Sequence, residues 1–326
     1  MRPVTYDRQR RAQLLLALER EKDENRSAAA SELCEMASAA EDRADFAADI
    51  PRLLGDALIP VRRCGLALAA TVLPVAEALP LLAQHLSDPS GEIRTEAAGR
   101  LADLGVPEVR AMLASVLEDP IFAVRFEAAR GMAALRHPSG LPTLVDALDK
   151  GDYRFRALGA LGELADPQAL PAVKALFKKW LLPSFERTQA AGVLARLGDP
   201  DGSRHLLKVA AGRWSTDRAM ALEMCGEIRV PGAFEALERA VRASADPCRG
   251  AAARGLGRLG EPRALPVLVS LLQESTAPED FRLDAAEGLC RLGSPEARRE
   301  AEAALAGFGA DARRELEGML RELPTP

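Results

Sequence analysis

Apolar and polar positions repeat on two scales along the chain, one of a helical turn and one of about thirty residues. Nine segments superpose when each is aligned on one arginine: Arg26, Arg62, Arg94, Arg125, Arg154, Arg187, Arg218, Arg249 and Arg282. Successive spacings are 36, 32, 31, 29, 33, 31, 31 and 33 residues. Three residues after each arginine stands Ala or Gly, from Ala29 and Gly65 to Ala252 and Ala285. Seven residues after it the chain places mostly Leu (Leu33, Leu101, Leu161, Leu194, Leu256, Leu289), and ten after it Met36, Leu104, Leu135, Leu164, Leu197 or their equivalents. Offsets 3, 7 and 10 fall on one face of a helix, so the spacing predicts a helix opened by each arginine.

In the last seven segments a proline follows at offset 13: Pro107, Pro138, Pro167, Pro200, Pro231, Pro262 and Pro295. Proline needs no N–H in a first helical turn and presets the dihedral there, so it ends one helix and starts the next. The stretch after it is again apolar at helical spacing, as in Leu170, Val173, Leu176 and Phe177, or Leu265, Leu268, Leu271 and Leu272. Each repeat is therefore predicted to be two helices, an outer one opened by proline and an inner one opened by arginine. The predicted fold is an all-α solenoid, an alpha-alpha superhelix of about nine hairpins. It occupies 1–326 as a single array: 1–24 as N-terminal helix of the first hairpin and cap, 25–294 as repeats, and 295–326 as C-terminal capping helices. A hairpin of this kind cannot bury both its faces alone, so stability should spread through nearest-neighbour interfaces.

Stretches such as GRLGEPRALPVLVSLL (257–272) and GELADPQALPAVKALF (162–177) carry a resemblance to the HEAT-repeat family. In their short length they are similar to the bacterial HEAT-like units of phycobilin lyases. The resemblance implies that outer helices line a convex surface and inner helices a concave one. It also brings three function classes into view: a protein-binding scaffold, a lyase-like subunit holding an open-chain tetrapyrrole, and a nucleic-acid role like that of HEAT-like alkylpurine DNA glycosylases.

Composition narrows these classes. Hydrophobic residues make up 48% but aromatics only 4%, which favours many small Ala and Leu contacts over one large core. With 43 basic and 48 acidic residues the net charge is −5, the wrong sign for gripping a phosphate backbone. Only six of the basic residues are Lys and the other 37 are Arg, the habit of G+C-rich coding, so a single arginine is weak evidence of a special role. The five cysteines form no CxxC pair and read as reduced thiols used as small apolar filler, as in a cytoplasmic protein. Neither the N-terminus nor the stretch 65–83 is long and apolar enough to predict a signal peptide or a membrane span.

Catalytic signatures are absent: no G-x-S-x-G, no phosphate loop, and three histidines (His85, His137, His205) in separate repeats without partner ligands. The His-Glu pairs of the HEAT-repeat hydroxylase of hypusine synthesis are missing too. The expectation is therefore a non-enzyme with neither metal nor cofactor, whose partner is another protein. The arginine ladder is expected to be architectural, bonding carbonyls and carboxylates of adjacent loops, with Asp88 and Asp119 as the partners of Arg94 and Arg125. Partner binding is expected where repeats differ. One place is the inner-helix positions at offsets 2, 5, 6 and 9, with Arg130, Arg196, Arg254, Arg258 and Arg291. The other is the edge made by turns inside the hairpins, which gathers Phe122, Tyr153, Trp180, Phe185 and Trp214.

Overall fold

The ladder arginines and the prolines that alternate with them punctuate the chain into short helices joined by tight turns. The structure is a computed structural model that describes residues 7–39, 44–212 and 216–322. Among the described residues every regular element is helical. The helices are α1 Arg8–Arg20, α2 Asp23–Ala39, α3 Ile50–Leu54, α4 Ile59–Val72, α5 Val75–Gln84, α6 Gly91–Leu104, α7 Val109–Ala114, α8 Phe122–Ala134, α9 Leu141–Ala147 and α10 Gly151–Leu164. They continue as α11 Leu170–Phe177, α12 Ser184–Arg196, α13 Pro200–Ala211, α14 Arg218–Glu227, α15 Ala233–Arg242, α16 Arg249–Leu259, α17 Leu265–Leu272, α18 Glu279–Leu292, α19 Pro295–Ala304 and α20 Ala310–Glu322. The fold is the all-α superhelix of helical hairpins that the repeat predicts. Internal contacts divide it into two compact units, Met1–Tyr153 and Arg154–Pro326.

Packing follows the offsets. All nine residues at offset 3 and all nine at offset 7 are buried, Leu101, Leu161, Leu194 and Leu256 completely. Burying one such leucine contributes about 2 kcal/mol, and the sum over rungs supplies what no single hairpin can. Offset 10 is only half-buried in most rungs. At Gly65 the small residue of offset 3 faces the first helix of its own hairpin, where an added Cβ would sit 2.9 Å from the Leu54 nitrogen. Neighbouring ladder helices meet most closely elsewhere, at offsets 6 and 8. An added Cβ on Gly226 would lie 2.0 Å from the Gly255 oxygen, and one on Gly257 2.4 Å from the Gly288 oxygen. Offset 6 is thus a packing position, contrary to the sequence expectation that it is free, because backbone approach between ladder helices demands a small or well-seated side chain there.

The end of each ladder helix is equally regular. From Arg94 onward the residue at offset 11 adopts positive φ: Gly105, Arg136, Ala165, Gly198, Arg229, Gly260 and Gly293. The His137 N–H bonds the Met132 carbonyl and the Asp199 N–H bonds the Leu194 carbonyl, the longer bond of a Schellman closure. Glycine adopts this conformation without cost, whereas a side chain there costs about 1–2 kcal/mol. Ala165 (φ 51°) carries that strain with only a methyl group to lose. Ala165→Gly is expected to stabilise the protein by about 1 kcal/mol, read as a higher denaturation midpoint at unchanged slope; a lower midpoint would contradict it.

Candidate functional site

The ladder arginines all lie in the first turn of their helices, and five of them, Arg26, Arg62, Arg94, Arg218 and Arg249, reach both backwards to the preceding turn and forwards to the next hairpin. Arg26 donates to the Leu18 carbonyl at 2.9 Å and to Asp56 at 2.5 Å. Arg62 donates to the carbonyls of Asp56 (2.8 Å) and Ala57 (3.0 Å) and meets Asp88 at 3.5 Å. Arg94 donates to the Asp88 carbonyl and grips both oxygens of Asp119 at 2.8 and 3.2 Å. Arg125 donates to the Asp119 carbonyl at 2.6 Å, and Arg154 to Glu186 at 2.9 Å. Arg218 joins the Ala210 carbonyl to Asp246, and the buried Arg249 joins the Val241 carbonyl to Glu274. Arg187 collects the carbonyls of Phe177, Lys179, Trp180 and Leu182, while Arg282 stacks over Phe308 at 5.4 Å.

The expected pairing within Asp88/Arg94 and Asp119/Arg125 is corrected by this geometry. Each arginine takes the backbone carbonyl of the aspartate six residues before it, while that carboxylate serves the arginine of the preceding hairpin. The same carboxylates also accept an N–H two residues on, at Leu58, Ser90, Ile121 and Cys248, closing Asx turns. Burial pushes the Asp119 carboxyl up, but the Arg94 pair and the Ile121 N–H together hold it below its ordinary range. The Arg249 hydrogen bond likewise holds Glu274 low. Arg313, 31 residues after Arg282, makes the same backward reach to the carbonyls of Leu305 and Phe308. The sequence pattern passes over it because Leu316, not a small residue, stands at its offset 3.

The inner-helix arginines are already engaged. In the first unit Arg130 bridges Glu127 (2.9 Å), Asp103 (2.7 Å) and the Gly99 carbonyl (3.2 Å). In the second unit Arg196 pairs with Glu227 at 2.5 Å, Arg258 meets Glu223 at 3.2 Å, and Arg291 pairs with Glu287 at 2.8 Å. Arg254 lies between Glu223 and Asp284. Burial raises the Asp284 carboxyl above its ordinary range despite that arginine. Arg258 and Arg291 also line an open recess of about 600 Å³ with Glu227 and Arg229.

A second, smaller recess of about 210 Å³ opens on α10, α12 and α14. Gly159 and Gly162 give it room, and Met224, packed closely over Gly192, gives it an apolar wall with Ile228. At offset 5, where Gly159 and Gly192 stand, the flanking rungs carry the long chains of Arg130, Glu223, Arg254 and Glu287, while the first three rungs carry the small Ser31, Ala67 and Gly99. An added Cβ on Gly159 would touch nothing within 4 Å. Gln189 lines the same recess, is only 8% exposed, and its buried amide oxygen has no hydrogen-bond partner. A buried, unpaired amide oxygen costs about 1–3 kcal/mol, and the Gln189 side chain must turn to bring that oxygen into the recess. Sequence reading misses this place because glycine at an exposed helical position carries no chemical signal of its own.

The aromatic edge divides between the units. In the first, Tyr153 packs edge-on against Phe122 (4.9 Å between centroids) and Phe126 (4.8 Å), and Lys150 sits 4.7 Å over the Phe122 ring. These rings are half-buried or buried and satisfy one another. In the second, Trp180 is 85% and Leu181 72% exposed, and Phe185 stacks on Phe155 at 5.1 Å with both rings 43% exposed. Phe155 is a member that the sequence reading leaves out. Trp214 lies outside the described residues.

With this geometry in view, the sequence pattern of the HEAT repeats family matches residues 79–157, 115–181 and 203–290, more than half of the chain. The chain belongs to the HEAT-repeat family. No curated protein sequence matches it. Among solved structures, this HEAT protein is similar to the complex of CpcE and CpcF of phycocyanin lyase from Nostoc, at 20% identity over 84% of this chain and 93% of that one, with a TM-score of 0.46. It is similar to human deoxyhypusine hydroxylase at 21% identity over 75% of this chain and 95% of that one, TM-score 0.32. It is also similar to Kap121p bound to Pho4p at 13% identity over 96% of this chain and 41% of that one, TM-score 0.39.

The histidines of this HEAT array lie apart in structural surroundings. His85 Nδ1 lies 2.8 Å from the Leu81 carbonyl, and His137 Nδ1 lies 3.4 Å from the Ser139 nitrogen at a helix start. His205 stands edge-on to Phe177 at 5.3 Å, and burial, then the charges of Arg187 and Lys208, holds its pKa down. Among the described residues no three His, Cys, Asp or Glu side chains converge as a metal site, and no helix is long and apolar enough to cross a membrane. The five cysteines are free thiols, with Cys225 pushed up to about 12 by burial.

Proposed function

We propose that this HEAT protein is a non-catalytic scaffold that binds a segment of another protein on the ladder-helix face of its second unit. The observation that carries the reading is the recess around Gln189, which combines an apolar wall, glycine-made space and an unpaired amide. Its volume suits one aliphatic side chain of a partner, whose adjacent N–H would answer the Gln189 amide once that side chain turns into the recess. The surrounding cations support a neutral or mixed segment over a polyanion, because Arg196, Arg254, Arg258 and Arg291 are each matched by a carboxylate. A lyase-like reading would set tetrapyrrole propionates against Arg229, Arg258 and Arg291 in the larger recess. Two of those three arginines already hold glutamates, so that reading is weaker.

Gly159 makes the proposal testable without loss of fold. It lies inside α10, where glycine costs roughly 0.5–1 kcal/mol relative to a good helix former. Gly159→Arg is expected to raise stability by about that amount while blocking the recess, so partner proteins captured by the wild type from native lysate should be lost. Gly318→Ala, another open helical glycine, supplies the control: it should stabilise similarly and leave capture intact. Equal capture by Gly159→Arg and the wild type would remove the recess from the binding surface.

A further inference from the structure

Arg282 is the ladder arginine whose clasp stays open. Among the described residues it donates no hydrogen bond and joins no ion pair, whereas each of the other eight donates at least one hydrogen bond. Its contact is with the Phe308 ring, 5.4 Å from the guanidinium carbon. Its Nε is buried without a partner, while Nη1 and Nη2 are not buried.

The sequence explains the missing acid. Asp119 stands 25 residues after Arg94, Glu274 25 after Arg249, Asp88 26 after Arg62 and Asp246 28 after Arg218. At 25 to 28 residues after Arg282 stand Gly307, Phe308, Gly309 and Ala310, so the next hairpin delivers no carboxylate. The acid that follows, Asp311, has a 98% exposed side chain and lies 3.8 Å from Arg314. In place of the acid there is a recess of about 280 Å³, lined by Arg282 and Gly307. Leu272, Ala303, Ala304 and Phe308 give it apolar surface, and Glu300 lines it without pairing to the arginine.

We propose that this recess binds a small monocarboxylate with a compact apolar body. The ligand carboxylate takes Nη1 and Nη2 of Arg282 end-on, the two-oxygen match that a guanidinium fork offers, without needing the buried Nε. The ladder supports this chemistry, because the sister arginines fill the equivalent place with Asp or Glu. A carboxylate alone leaves much of the recess empty. At ~30 Å³ per water the volume equals about nine waters, room for a ring beside the charged group, and the apolar lining suits such a body. A phosphate dianion fits less well: Glu300 adds like charge, and the apolar lining leaves the additional oxygens unpaired. This recess shares no lining residue with the one around Gln189, so the two sites stand or fall separately.

The test is titration calorimetry of the full chain with benzoate, with benzamide and inorganic phosphate as comparators. Benzoate is expected to bind at one site, and benzamide and phosphate at least tenfold more weakly. Arg282→Gln should weaken benzoate at least tenfold at unchanged helicity, since no protein hydrogen bond is lost with the guanidinium. Gly307→Glu keeps the arginine and supplies the acid at the spacing of Glu274 from Arg249, and a Cβ at Gly307 meets nothing within 4 Å. That variant should melt higher than the wild type and lose benzoate, whereas Gly159→Arg should bind it unchanged. No binding of benzoate, equal binding of benzamide, or undiminished binding by Arg282→Gln would overturn the proposal, as would a Gly307→Glu variant that melts higher yet binds as before. Tighter binding of N-acetyl-glutamate N-methylamide than of benzoate would also overturn it and assign Arg282 to an acidic side chain of a partner protein.

Discussion

Ala129→Glu is expected to destabilise the first unit by about 4 kcal/mol, lowering its melting temperature by roughly 10 °C. Ala129 is fully buried in α8 at offset 4 from Arg125. The next turn presses directly on it: a Cβ added to Gly140 would lie 2.6 Å from the Ala129 Cα and 2.7 Å from its oxygen. A glutamate there has neither room nor a cation and must either drive Pro138–Gly140 away or lose its charge inside an apolar layer. Because stability is carried by nearest-neighbour interfaces, the loss should spread to adjacent hairpins rather than remain local. A melting curve that superposes on the wild type would show the face of α8 to be wrongly placed.

The second large effect is the smallest possible change. Gly226→Ala adds one methyl group, yet its carbon would lie 2.0 Å from the Gly255 oxygen and 2.7 Å from the Gly255 Cα. Those are backbone atoms, so no side chain can rotate away, and α14 and α16 must move apart. Overpacking of this kind costs about 2–3 kcal/mol. The same glycine-to-alanine change in the open at Gly318 is expected to stabilise, so the two together separate helix propensity from backbone approach. Urea denaturation of the purified variants decides it, and a Gly226→Ala midpoint at or above the wild-type value would contradict the helix contact.

The fold was legible because its information is periodic. An arginine, a small residue at offset 3 and an apolar one at offset 7 recur nine times, and any one instance can be imperfect without hiding the rest. Arg313 shows the limit of such reading, since a single leucine at offset 3 hid a rung that performs the same bonding. The candidate surfaces were far less legible. Composition on the inner helices marked Arg130, Arg196, Arg254, Arg258 and Arg291, but a one-dimensional pattern does not show which carboxylate lies across from each. Every one of them meets an acid. The recess around Gln189 was invisible for the opposite reason: it is made by what glycine leaves out. Trp180 was singled out from sequence because tryptophan is rare here, whereas Tyr153, equally aromatic, is tucked against Phe122 and Phe126.

The ladder bonds have a direction. Arg26 reaches to Asp56, Arg62 to Asp88 and Arg94 to Asp119 in the first unit, and Arg154 to Glu186, Arg218 to Asp246 and Arg249 to Glu274 in the second. In each case the cation comes earlier in the chain and the acid later. Five of these guanidinium groups, those of Arg26, Arg62, Arg94, Arg218 and Arg249, also rest on carbonyls of the turn just before them, so as the polypeptide emerges from a ribosome the cation's seat is made while the carboxylate it will hold is still unmade. The arriving acid finds its place prepared, and each clasp closes behind the advancing chain. Within each unit, the order of synthesis and the order of fastening are the same.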